Sequence, residues 1–248
     1  MIDIKSGHEI GLIEEAGKVV KTILEELGKI ARPGTATLEF DKKAEEIIGK
    51  FRCRSAFKGY RGYPGTVCVS VNEEVVHGIP GNRRLGEGDI VGIDVGIEKD
   101  GYFADSAITL AIGDLRRGAK ALDLIETTRE ALRLGIREAV EGNRLFDISH
   151  AIQRHAESRG YSVVRDFVGH GIGKKLHEDP SIPNFGAKGT GPRLKSGMVL
   201  AIEPMINEGG WEVEVLDDGW TAVTKDKKLS AHFEHTIAIT ENDPRILT

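Results

Sequence analysis

IVGIDVGIEKDGYFADSAITL, residues 90–110, reads as two apolar-rich strands joined by a turn, with one aspartate in each arm. With the turn on Glu98, Lys99, Asp100 and Gly101, and Asp100-Gly101 supplying the turn residues, Asp94 is expected opposite Asp105, Cβ atoms about 4.5–5.5 Å apart. Like charges opposed in this way destabilise a hairpin. Ile90, Val91, Ile93, Val95, Ile97, Phe103, Ile108 and Leu110 around them imply burial, where an uncompensated carboxylate costs on the order of several kcal/mol. A solvated hairpin end is the plainer reading of two aspartates near a turn. A bound cation is the simplest remedy if they are buried.

Working outward, three more candidate ligands stand in apolar or glycine-rich surroundings: His170 in DFVGHGIG, Glu203 in MVLAIEPMI and Glu234 in SAHFEHTIAIT. Each resembles a strand or strand end, and each taken singly is an ordinary buried polar residue satisfied by hydrogen bonds. Together with the two aspartates they make a set. Four carboxylates and a neutral imidazole carry about minus four, which two divalent cations cancel. Oxygen-rich ligation with one nitrogen suits Mn, Fe or Co better than a thiolate-type structural zinc site. Two such ions about 3.5–4 Å apart can share a water and lower its pKa from about 15.7 towards 7, yielding a hydroxide nucleophile.

The order of these ligands and the words around them resemble a type I methionine aminopeptidase. The resemblance spans nearly the whole chain and rests on AFKGYRGYPGTVCVSVNEEVVHGIP (56–80), GDIVGIDVG (88–96), GYFADSAIT (101–109), VGHGIGKKLHEDPSIPN (168–184), GMVLAIEPM (197–205) and DGWTAVTKDKKLSAHFEHTIAIT (218–240). It implies a two-metal exopeptidase that removes the initiator methionine from new chains, preferring a small second residue. The implied metal ligands are Asp94, Asp105, His170, Glu203 and Glu234, with Asp105 and Glu234 bridging two ions of Co, Mn, Fe or Zn. A monovalent cation near Asn72 and Ser230 is implied by the same likeness.

Other residues take roles from the resemblance. His77, which unaided reads as a core or loop histidine, is implied to face the substrate and assist at the scissile amide. His177 is implied to donate towards the carbonyl or its oxyanion, and Glu203 to move protons as well as hold metal. Tyr60, Tyr63, Cys68, Leu176 and Trp220 match the methionine pocket, where aromatic walls add sulfur contacts of about 0.3–1.5 kcal/mol. Leu176 replaces an aromatic found in many relatives, and Phe57 stands where a small or thiol residue can occur. GHGIG lacks the spacing of a phosphate loop; its glycines are expected to let backbone approach the metal centre and substrate.

Composition agrees with a compact enzyme. The 248 residues are 40% apolar with a formal charge of −5, enough for a substantial core, and they do not point to bulk attraction for nucleic acid. Basic pairs such as Arg83-Arg84, Arg116-Arg117 and Lys174-Lys175 read as solvated faces, and contact with a ribosome surface stays a family-level expectation. Cys53 and Cys68 form no disulfide framework, no signal-peptide core opens the chain, and nowhere do about 18 apolar residues run together. The expectation is a cytoplasmic monomer with no membrane partner, acting on N-terminal Met peptides and nascent chains.

The order of elements hints at duplication. Ser6 to Glu9 forms a capping box before a helix carrying Ile10, Ile13, Val20, Leu24 and Leu27, ended by Pro33-Gly34, and a second helix covers about Leu38–Phe51. The later half repeats this with helices at about 116–141 and 146–159 around a Gly142-Asn143 break. Aligning Gly34 with Gly142 brings Asp94 within one residue of Glu203. Periodicity alone supports an α+β class with two similar halves, about 1–112 and 113–248, in one catalytic domain over 1–248. The resemblance names this the pita-bread fold, two pseudo-symmetric halves with a curved antiparallel sheet covered by helices. Prolidase and aminopeptidase P share such a ligand set; the stretch before His77 and DGWTAVT separate them, and their large amino-terminal domain has no room here. The interval from His170 to Glu203 is too short for the type II insertion. A binding module that keeps the fold is disfavoured by the presence of all five ligands and both histidines.

Overall fold

A computed structural model describes residues 2–113 and 118–248. Among the described residues four α-helices lie outside antiparallel strands: α1 (Gly7–Ile30), α2 (Thr37–Phe51), α3 (Ala119–Glu138) and α4 (Leu145–Ser158). The Ser6 hydroxyl accepts from Glu9 N while the Glu9 carboxylate accepts from Ser6 N, so the expected capping box starts α1. The expected start of α3, including Arg116-Arg117, falls outside the described residues. The other helix limits lie within one residue of expectation for α2 and α4. Ile13, Val20, Leu24 and Leu27 bury one stripe of α1, which lies against the hairpin. α3 and α4 meet closely at Gly135, where a Cβ would press on Ile152.

The hairpin is built from Ile90–Lys99 and Tyr102–Ala111, leaving Asp100 and Gly101 as a two-residue turn with φ of 53° and 81°. Asp-Gly suits this turn because both central residues need positive φ. The register differs from expectation: Asp94 faces Ala107 and Asp105 faces Gly96. Centring the turn on 98–101 shifts every pair by two residues from a turn centred between Asp100 and Gly101. A two-residue shift keeps side chains on their face, so the aspartates remain diagonal neighbours on one side of the sheet. Arg54–Ser55 and Cys68–Val71 pair with Ile90–Lys99 to complete this sheet.

A second sheet orders the strands Arg245–Ile246, His235–Ala238, Val199–Ile202, Gly169–Gly171 and Glu178–Ile182. Two three-stranded pieces join Met205–Asn207 to 162–163 and 230–232, and Ala222–Thr224 to 74–76 and 213–215. All the ladders run antiparallel. The hairpin meets the 234–236 segment directly, through Glu234 N to Ala107 O at 2.9 Å and Ser106 Oγ to Glu234 O at 2.5 Å. One large apolar cluster lies under α1 and α2, another under α3 and α4, so strands carrying the candidate ligands are held from both sides.

Candidate metal centre and substrate cavity

Each acidic candidate sits where a strand is pinned by its neighbour. Thr236 Oγ1 accepts from Asp105 N at 3.1 Å and lies 3.0 Å from Asp105 Oδ1. Glu234 occupies the junction of Ser230–His232 and His235–Ala238, its backbone paired with Ala107. Glu203 ends Val199–Ile202, and its carbonyl accepts from Asn184 Nδ2 at 3.0 Å. His170 lies in Gly169–Gly171, with Nδ1 2.9 Å from Gly171 O. That bond uses the Nδ1 proton and turns Nε2 inward, the orientation metal-ligating histidines favour.

The inward atoms converge. Asp105, His170 and Glu234 are buried and each offers a ligand atom within 4.8 Å of the others. His170 Nε2 is 3.4 Å from Asp105 Oδ2 and 3.6 Å from Glu203 Oε1. Asp94 Oδ1 is screened from solvent and has no hydrogen-bond partner among the described residues. Burial, reinforced by Asp105, Glu203 and Asp94, pushes Glu234 well above the usual carboxylate range. Burial also raises Asp94 to about 7, with His232 opposing the rise. For His170 burial acts downward, but the Asp105 carboxylate, followed by Glu203, outweighs it and leaves it at about 9. Crowded carboxylates that burial disfavours as anions, an orphaned carboxylate oxygen and an imidazole whose Nε2 faces them fit divalent cations, whose charge would hold the acids ionised and displace the imidazole's second proton.

These groups form the floor of a cavity of about 320 Å³. Its walls include Phe57, Tyr60, Tyr63, Cys68, Phe167, Leu176 and Trp220, with His77 and His177 among them. Tyr63 stands edge-on to Trp220 at 5.1 Å between ring centroids, and His77 edge-on to Phe167 at 5.3 Å. The Tyr63 hydroxyl donates to Gly78 O at 2.8 Å, leaving a largely apolar face. Burial raises the Cys68 thiol well above its ordinary value, so it stays neutral there. Burial, then His232, lowers His77 to about 4. His177 has an exposed edge, yet desolvation by its neighbours, then His170, holds it down to about 4. Its Nδ1 lies 2.9 Å from the Tyr60 hydroxyl.

The structure thus gathers all twelve site candidates around one cavity. The glycines flanking His170 act differently from expectation: a Cβ on Gly169 or Gly171 would run into the carbonyls of Ala201 or Asp179, so they admit neighbouring strands. Near the hairpin base, Ser230 N donates to Asn72 O at 2.9 Å, while the Asn72 amide is committed to Asp89 and Ile90. Sequence reading overlooked Arg61, Phe167 and His232. His232 had a usable signal, since a residue two before Glu234 along an extended segment shares its face.

Residues 11–241 match the metallopeptidase family M24. A methionine aminopeptidase of Bacillus subtilis is 53% identical over 248 residues, covering 100% of this chain and 99% of that protein. The crystal structure of a methionine aminopeptidase from Thermotoga maritima superposes with a TM-score of 0.98 at 50% identity, over 100% of this chain and 99% of that one. A prolidase from Pyrococcus horikoshii, 24% identical, gives a TM-score of 0.78 over 99% of this chain and 63% of its own, a likeness of fold alone. The pita-bread architecture of helices outside a curved antiparallel sheet follows from these matches.

Proposed function

The chain belongs to the metallopeptidase family M24 and to its methionine aminopeptidases, and on that premise we propose that it removes N-terminal methionine from peptides and nascent chains whose second residue is small. The observation that carries this reading is the convergence of Asp105, His170 and Glu234 on the floor of an apolar cavity. Asp94, Asp105, His170, Glu203 and Glu234 would hold two dications, with Mn, Fe, Co or Zn as candidates. When bound, these supply Lewis acidity that polarises a carbonyl and makes water a nucleophile near neutral pH.

The chain's own side chains do the rest. Tyr60, Tyr63, Cys68, Leu176 and Trp220 bind an unbranched thioether and exclude water around it. His77 and His177 stay neutral near pH 7, so each offers one N–H. With the Tyr60 hydroxyl donating to Nδ1, His177 carries its proton on Nε2 and presents it to a carbonyl oxygen gaining negative charge. His77 assists at the scissile amide, and Glu203 takes a proton and returns it to the leaving amine. A monovalent cation near Asn72 and Ser230 would brace the hairpin base.

We further propose one catalytic domain over residues 1–248, with halves near 1–112 and 113–248, acting as a monomer in the cytoplasm and touching the ribosome surface. No helix among the described residues is long and apolar enough to cross a membrane. The test is turnover of Met-Ala-Ser, Met-Leu-Ser and an X-Pro peptide with Mn, Co or Fe supplied. Release of Met from the first, with the others largely spared, is the expected outcome. Cleavage of X-Pro alone would assign a prolidase, and no metal-dependent turnover a binding module.

A further inference from the structure

His232 is 4% exposed, and its Nε2 has no hydrogen-bond partner among the described residues. A buried polar nitrogen left unpaired is unfavourable by about 1–3 kcal/mol, and the ring has little freedom to leave. Its backbone N donates to Thr109 Oγ1 at 2.9 Å, and its carbonyl accepts from the same hydroxyl at 2.8 Å. On the opposite side His232 pairs with Met205, and Phe233 N reaches Pro204 O at 3.3 Å. These bonds set His232 beside the segment that carries Glu203. Its Nε2 lies 3.6 Å from Glu203 Oε2, while His170 Nε2 lies 3.6 Å from Oε1. The carboxylate is therefore bracketed by two imidazoles, one per oxygen.

We infer that His232 is a positioning residue for Glu203, donating from Nε2 to Oε2 so that Oε1 stays turned towards His170 and the metal position. This rests on the proposed function, since it takes Glu203 as a ligand. A movement of about 0.5 Å brings the pair to hydrogen-bond distance, and the orphaned nitrogen then acquires its partner. Partners of this kind behind a metal-ligating group typically change metal affinity by about 10–100-fold when removed.

The experiment is calorimetric titration of metal-free protein with Mn(II), on wild type, His232→Gln and His232→Leu, beside kcat for Met-Ala-Ser. His232→Gln keeps an N–H near the same place, and His232→Leu keeps bulk without a donor. The expected result is Mn(II) affinity about 10–100-fold weaker for His232→Leu and within about threefold of wild type for His232→Gln, with kcat following affinity. Thermal melts of the metal-free proteins check folding, and His232→Leu should melt no lower than wild type because it removes an unpaired polar atom. Wild-type affinity in His232→Leu overturns this inference alone. Equal losses in both variants also overturn it, because shape and not donation would then matter. Wild-type protein that binds no Mn(II) overturns the functional reading together with this one.

Discussion

At the scale of single residues, the acids at the cavity floor work against the folded chain until something positive joins them. Glu234 is buried, faces Asp105, Glu203 and Asp94, and is held well above the usual carboxylate range by burial first and by those charges second. Glu234→Gln should therefore have opposite effects in two states of the protein. Without metal it is expected to raise stability by about 1–2 kcal/mol, because a crowded acid is replaced by a neutral amide of equal size. With Mn(II) present it should melt below wild type, because a ligand is gone. Melting curves with and without chelator read both signs, and a variant less stable than wild type in both states would show that Glu234 has a purely structural role. His170→Ala is expected to lose metal and turnover together. His77→Ala should keep both ions and lose about 100-fold or more in kcat; wild-type turnover would remove His77 from the chemistry. The acids were legible because carboxylates are improbable among apolar neighbours, whereas His232 hid beside Glu234.

At the scale of elements, the segment from Ile172 to Glu178 presents Leu176 and His177 to the cavity, and the start of the chain holds it in place. Lys5 Nζ lies 2.5 Å from Glu178 Oε2, with side chains 2% and 14% exposed. Lys5 N donates to Gly197 O at 2.7 Å, and a Cβ on Gly173 would collide with the Lys5 stem. Removing one partner of a buried pair strands the other charge, so Lys5→Met is expected to destabilise by about 3–5 kcal/mol. Lys5→Met combined with Glu178→Gln should recover most of that, as measured by urea unfolding; equal losses in single and double variants would mean that Lys5 matters for packing and not charge. This anchor was illegible in sequence, because a lysine five residues from the start reads as solvated. The hairpin was legible through Asp100-Gly101, though register depends on where the turn is centred. Gly169–Gly171 is too short to show a period, and only its partner strands make it a strand.

At the scale of the whole molecule, the five proposed ligands come from both parts of the chain: Asp94 and Asp105 from the hairpin between α2 and α3, and His170 from a strand and Glu203 and Glu234 from strand ends after α4. One apolar cluster lies mainly in the earlier part but takes in Ile172, Leu176, Val199, Ala238 and Leu247, and the other lies mainly in the later part but takes in Ile90, so both tie together the two parts. The parts also meet where Ser106 and Ala107 bond to Glu234, and Asp105 to Thr236. The helix pairs were legible in sequence, but nothing local says which strand edges join, since that depends on contacts more than a hundred residues apart. Cations held at this seam would bind the folded chain and not the unfolded one, so they shift unfolding by mass action. At free metal 1,000 times Kd, one site contributes about 4 kcal/mol, or roughly 8–16 °C in Tm for a chain of this length. Calorimetric melts with excess Mn(II) and with chelator are expected to differ by at least that range, and Asp105→Asn should abolish the difference while leaving the chelated melt unchanged or raised. A Tm that ignores chelator in wild type would place any metal outside this seam, because ligands drawn from both parts of the fold cannot hold an ion without also holding those parts together.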